Sequence, residues 1–426
     1  MNYQEAIDFL YSQLPMYQRV GKSALKKDLT NTVKLCELLG NPESKFKSIH
    51  IAGTNGKGTT AHILASILQE SGYKTGLYTS PHLKSFTERI KIDGVEIDES
   101  FVISFVKKIQ NEIAQIQPSF FEITVVMAFA YFAQEKMDIA IIETGLGGRL
   151  DSTNVISPEL SIITNIALDH QDMLGETIEE IALEKAGIVK INTPLVLGNM
   201  PENARTTILE YALSKGIVGN ERFKKYSIVG DNQSGYDVSA EDELEYAKLM
   251  VGIKGSYVVK NLPHILESVE ELKLLNYQLP ADNIRKGFEK VLINTGLKGR
   301  WQMLNKSPLV ICDIAHNEDG IKQVLTQLEE IRYERLHFVF GTVTDKIVDK
   351  IMNLLPKNAQ YYFCAANVPR ALAVEELYSK SIRFGLKGDS YTSVNEAISS
   401  AKNNARKDDL VFVGGSTFVV AEIENL

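Results

Sequence analysis

Cysteine is scarce in this 426-residue chain, and Cys36, Cys312 and Cys364 stand far apart, odd in number and with no C-x-x-C pair. A disulfide framework and a dithiol redox motif are excluded, and the three read as reduced core residues of a cytosolic protein. Long apolar runs are missing too. The longest, Phe120 to Ala133, is broken by Glu122 and too short to span a bilayer. The first residues lack a basic start followed by an apolar run, so no signal peptide and no membrane partner are expected. Basic residues are outnumbered, 46 against 54 acidic, for a formal charge of −8. No long basic run is present to meet the phosphates of a nucleic acid. Any anionic substrate must therefore be held by local devices such as a lysine, a metal ion or a helix end. Solenoid-period repeats and low-complexity segments are likewise absent.

What is present is a chain long enough for two or three domains, with 44% hydrophobic residues to fill their cores. Its organising stretch is Ser48 to Thr60, SIHIAGTNGKGTT. A short apolar run is followed by Gly53, Gly56 and Gly58 interleaved with Thr54, Asn55 and Lys57, and then by a helical pattern from Thr59 to Ser71. Glycines let backbone N–H groups turn inward, the helix offers its positive end, and Lys57 adds a full charge. The order G-x-x-G-K-G-T matches the common phosphate-loop spacing only in part, but strand, glycines, lysine, hydroxyl and helix arrive in sequence. A polyphosphate cradle is expected there.

Further strands end in polar groups. Lys74 to Tyr78 runs into Thr79-Ser80-Pro81-His82, where the Ser80 hydroxyl is either a magnesium ligand or an ordinary turn serine before proline. The run from Asp138 to Ile142 closes on Glu143, followed by TGLGGRLD. Ligands of parallel α/β sheets sit outside the carboxyl ends of the strands, so Glu143 is placed to meet magnesium on a bound triphosphate. Leu160 to Ile166 leads to Asp169 and His170, and Ile178 to Val189 is an amphipathic helix carrying Lys185. Taken alone, His170 reads as structural and Lys185 as a solvated residue. Residues 216 to 256 are polar and irregular, read as β-rich and peripheral, before helices resume at Asn261 to Leu275 and Pro280 to Lys290.

Beyond about Asn294 a second α/β alternation begins, with strands at Leu309 to Asp313, Leu336 to Phe340, Gln360 to Cys364 and Leu410 to Val413. Helical patterns at Gly320 to Arg332, Asp345 to Leu355, Val374 to Phe384 and Val394 to Asn404 separate them. This is a doubly wound sheet of ordinary domain size. Gly299-Arg300 stands at its entrance, and Asp313-Ile314-Ala315-His316-Asn317 ends its first strand, where an acid can hold a ribose or a second substrate.

Together GTNGKGTT, YTSPHL, IIETGLGGRLDSTN, LDHQDMLG, EKAGI, GRWQ and DIAHN resemble the Mur ligase superfamily, and within it folylpolyglutamate synthase and dihydrofolate synthase. The resemblance implies an α/β protein: a P-loop-containing, mostly parallel wound sheet domain over residues 1–295, then a smaller Rossmann-like domain over 296–426. It implies an ATP-dependent ligase joining a folate or dihydropteroate carboxylate to L-glutamate through an acyl phosphate. By the same resemblance Thr54, Asn55, Gly56, Lys57, Gly58 and Thr59 bind ATP, with further nucleotide contacts from Asn261, Arg300 and Asp313. Ser80, Glu143 and His170 hold magnesium, and Lys185 corresponds to a lysine that is carbamylated in the family. Ser256-Tyr257-Val258-Val259 departs from relatives, which tend to have histidine or glutamine there.

The pterin side is suggested by Ser119-Phe120-Phe121-Glu122, whose aromatic faces could stack on a flat ring, and by Arg149-Leu150-Asp151, with His316 as a further substrate residue. Core packing competes as a reading of the aromatics, and a solvated loop position as a reading of Arg149. The G-G-R-L-D run favours a bifunctional enzyme over folylpolyglutamate synthase alone, and a monomer is expected. A cell-wall ligase of the superfamily would need a UDP-binding domain ahead of the loop, and only 52 residues precede Gly53. A nucleotide-dependent regulatory module is the reading from a different class.

Overall fold

The structure is a computed structural model, described here for residues 1–15, 28–217, 224–344 and 348–426. The chain divides into two compact units, one of residues 1–252 and 258–296, the other of residues 253–257 and 297–426.

The first unit is built on a seven-stranded sheet of β1 (Ser48–Ala52), β2 (Thr75–Tyr78), β3 (Ile90–Ile92), β4 (Val95–Glu96), β5 (Ile139–Glu143), β6 (Leu160–Ile163) and β7 (Leu195–Leu197). Its order is β4-β3-β2-β5-β1-β6-β7, with β2, β5, β1, β6 and β7 parallel to one another and the β2-β3-β4 edge antiparallel. The parallel strands are covered on both faces, which is why β5 is apolar until its last residue. Because β1 and β5 are neighbours in register, Ile51 lies opposite Glu143. The carboxyl end of β5 therefore opens beside the glycine loop that leaves β1. Here, where the connections run from β1 outwards in both directions, a doubly wound sheet has its ligand crevice.

The helix after β1 runs Lys57–Glu70, two residues earlier than the sequence pattern gave, because Gly56 caps it at φ +86°. Helix Phe120–Glu135 starts at a capping box: Glu122 N–H donates to Ser119 Oγ at 3.2 Å and Ser119 N–H to Glu122 Oε2 at 2.5 Å. Ser119→Ala is expected to lower stability by about 1 kcal/mol, read as a fall in melting temperature of roughly 2–4 °C. The irregular region forms an antiparallel sheet of β8 (Tyr226–Asp231), β9 (Gly235–Ala240) and β10 (Glu243–Leu249). Residues 218–223 of that region lie outside the described residues.

The second unit has a six-stranded sheet of β11 (Gln302–Lys306), β12 (Leu309–Cys312), β13 (Leu336–Phe340), β14 (Gln360–Phe363), β15 (Lys387–Ser390) and β16 (Leu410–Gly414). The order is β11-β12-β16-β13-β14-β15, parallel except for β11. The helix expected from Asp345 is described from Val348 to Leu354, and residues 345–347 lie outside the described residues. All three cysteines are buried and unpaired with one another. Among the described residues no helix is long and apolar enough to cross a membrane.

Candidate active site

The loop after β1 is fastened from behind by the segment that follows β6. Thr54 N–H donates to Asn165 O at 2.8 Å, and the Thr164 hydroxyl donates to Asn55 O at 2.7 Å. Thr54 Oγ1 accepts from Ala167 N–H and donates to Ala167 O, at 3.0 and 3.1 Å. A Cβ on Gly53 would fall 2.0 Å from Thr164 Oγ1, so no other residue fits that close approach. Thr164, Asn165 and Ala167 were not singled out from the sequence. Their place directly after an apolar strand beside β1 is the signal that could have found them.

The loop's open side is polar and uncapped. The N-cap of helix Lys57–Glu70 is Gly56, which has no side chain to offer the first-turn N–H groups, an arrangement that suits a phosphate site. Glu143 reaches this end of the helix: a Cβ on Gly58 would lie 3.8 Å from both of its carboxylate oxygens. Glu143 Oε2 also accepts the Ser80 N–H at 3.2 Å. Loop, strand-end acid and the T-S-P-H segment thus share one place, at the carboxyl ends of β1, β5 and β2. Asn261, just ahead of helix Leu262–Leu274, lies over Gly56, where a Cβ would be 2.5 Å from its Oδ1.

Two lysines converge on one carbonyl. Lys57 Nζ donates to Gly53 O at 3.0 Å and to Thr54 O at 3.2 Å, and Lys185 Nζ donates to the same Gly53 O at 3.0 Å. Lys185 is 4% exposed. Burial and the Lys57 ammonium pull it down to about 7, against the opposing pull of Asp169 and Asp151. It is a lysine poised to be an uncharged amine near neutral pH. His170 is at φ +48°, its backbone N–H donating to Asp169 Oδ1 at 2.8 Å, with Nε2 3.8 Å from that oxygen.

The segment after Glu143 is held internally. Asp151 Oδ2 accepts from Leu146 N–H at 2.8 Å, and its Oδ1 accepts from the Thr153 N–H and hydroxyl at 3.0 and 2.5 Å. Burial raises its carboxyl above the usual range in spite of these donors. The Thr153 hydroxyl continues to His50 Nε2 at 2.8 Å, so a buried neutral histidine in β1 braces this turn. Leu150 is half-buried between Asp151 and Arg149, and the exposed Arg149 pairs with Glu184 Oε1 at 2.7 Å. Of the two aromatics, Phe120 is core, 5.4 Å from the Tyr11 ring and 6.0 Å from Phe86. Phe121 instead covers Gly145, where a Cβ would be 2.4 Å from its Cζ. The turn that holds Ser80 is braced by His82, whose Nδ1 accepts from buried Arg89 Nε at 2.7 Å. Burial and Arg89 hold that imidazole neutral, down to about 2. In the second unit Asp313 is 1% exposed, Arg300 half-buried and His316 exposed.

A glycine loop, a strand-end carboxylate and a poised lysine on a parallel sheet define a nucleotide-using ligase of the Mur type, and the domain comparisons agree. Residues 51–263 match the Mur ligase middle domain and residues 299–417 the Mur ligase glutamate ligase domain. The chain is 30% identical to the dihydrofolate synthase/folylpolyglutamate synthase of Bacillus subtilis, over 99% of this chain and 98% of that protein. It is also 32% identical to a probable bifunctional folylpolyglutamate synthase/dihydropteroate synthase of Haloferax volcanii, where it spans about half the relative's length, 50%. Among solved structures, E. coli FolC in complex with DHPP and ADP superposes with a TM-score of 0.87 at 29% identity, covering 99% of this chain and 97% of that one. The bifunctional enzyme of Yersinia pestis, complexed with AMPPNP and Mn ion, gives 0.83 at 28% identity, covering 99% and 97%. The chain belongs to the folylpolyglutamate synthase/dihydrofolate synthase family, ATP-dependent ligases that form carbon–nitrogen bonds.

Proposed function

We propose that this chain joins L-glutamate to the carboxylate of a folate or of dihydropteroate, using ATP, and that both acceptors are substrates. The observation that carries the reading is the meeting of Glu143 with the Gly58 end of the loop helix and with Ser80. ATP phosphates would lie along Thr54 to Thr59, with Asn261, Arg300 and Asp313 as further nucleotide contacts. Phe121, Arg149 to Asp151 and His316 would serve the pterin-bearing substrate, with Ser119, Phe120 and Glu122 placing Phe121 through the helix cap and the core.

The donor set fits a divalent ion. Among the described residues no group of three or more His, Cys, Asp or Glu is gathered to hold a metal alone. That suits magnesium, which is commonly held by one or two carboxylates with substrate phosphates and water completing its shell. Ser80, Glu143 and His170 would hold it, and when bound it neutralises phosphate charge.

The chemistry assigns the rest. The substrate carboxylate oxygen attacks the γ-phosphorus, the bond to ADP breaks, and an acyl phosphate results. The glutamate amine then attacks the acyl carbon, phosphate leaves, and the amine loses a proton. Both steps concentrate negative charge, which Lys57 and the uncapped N–H groups of the loop helix stabilise. We also propose that Lys185 is carbamylated: two ammonium groups on one carbonyl repel, and a neutral amine can add carbon dioxide. The product is an anion, suited to the neighbourhood of a cation.

The test is an assay with ATP, L-glutamate and either dihydropteroate or tetrahydrofolate, with products resolved by mass. One glutamate added to each acceptor, with one ADP released per addition, is the expected result. ADP release that ignores glutamate would point instead to a regulatory nucleotide module, and addition to tetrahydrofolate alone would remove the second activity.

A further inference from the structure

Asp313, immediately after β12, accepts hydrogen bonds from three separate segments of the second unit. Its Oδ2 takes the Tyr257 hydroxyl at 2.7 Å and the Trp301 N–H at 2.8 Å, and its Oδ1 takes the Ala315 N–H at 2.8 Å. Tyr257 comes from the short piece Ile253–Tyr257, which Gln327 fixes a second time by accepting from Ser256 N–H at 2.9 Å and donating to Lys254 O at 3.2 Å. The Tyr257 ring lies against Gly255, where a Cβ would be 2.5 Å from its Cζ.

The Trp301 contact is the informative one. Trp301 is at φ +44°, left-handed backbone that a bulky aromatic adopts only when its surroundings enforce it. Gly299, on the other side of Arg300, is at φ +70° and accepts from Ile314 N–H at 3.0 Å. The turn Gly299–Trp301 is thus pinned at both ends to the end of β12, with Arg300 at its apex. Arg300 is half-buried and has no carboxylate within ion-pair distance among the described residues. Burial and Asp313 push the Tyr257 phenol well up while the Arg300 charge pulls it down, so carboxylate and guanidinium both act on the phenol.

We propose that Tyr257 is a positioning residue for Arg300: its hydroxyl, through the shared Asp313 carboxylate, keeps the Gly299–Trp301 turn presenting the guanidinium to an incoming nucleotide. This rests on the reading of Arg300 as a nucleotide contact. A buried carboxylate short of one donor draws the nearest cation to itself. The phenol prevents that capture and leaves Arg300 available.

The test is a double-mutant cycle on the full chain with ATP as the varied ligand. Tyr257→Phe is expected to raise KM for ATP about tenfold, leaving kcat and KM for glutamate within about twofold. Tyr257→His, which restores an N–H donor, should recover most of the loss. In an Arg300→Ala background, Tyr257→Phe should add no further change, since the group it positions is gone. An unchanged KM for ATP in Tyr257→Phe, or the same tenfold rise with Arg300 removed, overturns the proposal. If Arg300→Ala alone leaves KM for ATP unaltered, it is the nucleotide reading of Arg300 that fails. Melting temperatures of all variants separate either result from unfolding.

Discussion

Lys57→Ala is expected to lower kcat/KM for glutamate addition by about 10³-fold while the melting temperature stays within about 2 °C of wild type. The Lys57 ammonium is half-buried and, among the described residues, donates to the Gly53 and Thr54 carbonyls, a role water can take in the variant. Little packing is expected to be lost, since Lys57 is the half-buried first residue of helix Lys57–Glu70 and the buried residues of that helix begin at Thr59. What is lost is a unit charge aimed where phosphoryl transfer concentrates negative charge. One preorganised donor at such a place contributes about 3–4 kcal/mol to the transition state. Lys57→Arg keeps the charge but presents a wider planar head to a loop sized for an ammonium, so a partial loss is expected. A purified Lys57→Ala protein that turns over as fast as wild type would refute the cradle assignment.

The second large effect belongs to Lys185. Lys185→Ala and Lys185→Arg are both expected to be inactive, since neither can form a carbamate, and the arginine adds a permanent charge beside Lys57. Intact-mass measurement under bicarbonate, with rapid denaturation omitted, should show an adduct on wild type that both variants lack. Activity in the arginine variant would remove the carbamate.

The sign of the pH dependence follows from the lysine's depressed value, about 7 against an ordinary 10.5. Below pH 7 the group is an ammonium in both folded and unfolded chains, so carbamate formation stops and the buried charge is a full penalty. Between 7 and 10.5 the unfolded chain still holds the proton and the folded one has released it, so stability rises with pH. Activity regained after removal of carbon dioxide and its return should therefore climb through pH 7. Lys185→Met should melt higher than wild type below pH 7, by a margin that closes towards pH 10.5.

Much of the fold was readable because its strands are buried on both faces. Ile139–Glu143 shows an unbroken apolar run with its acid at the end, and Val394–Asn404 matched its helical pattern at both ends. Edge elements were not readable. β15, Lys387–Ser390, carries no apolar alternation because only β14 pairs with it, and the exposed pair Val95–Glu96 is too short to show a period.

The site divides in the same way. The glycine loop and Glu143 announce themselves locally, through backbone freedom and position at a strand end. Thr164, Asn165 and Ala167 reach the loop across more than a hundred residues of chain, and no local pattern carries such a contact. Ser119 and Glu122 were read as substrate groups, yet each is engaged with the other's backbone, and a capping pair has the same spelling whether or not a ligand lies beyond it. Arg149 was read as a residue of the pterin side, and its pairing with Glu184 lies 35 positions away, beyond any helical spacing.

The chain passes from one unit to the other three times, because residues 253–257 are an outlying piece of the C-terminal unit. A fragment cut at Leu297 would leave that piece behind, and with it the phenol that satisfies Asp313. The two halves are therefore not interchangeable cassettes: swapping the C-terminal half with a relative's would graft a carboxylate onto a foreign connector. Chimeras should work only when the five-residue strip travels with the sheet it completes.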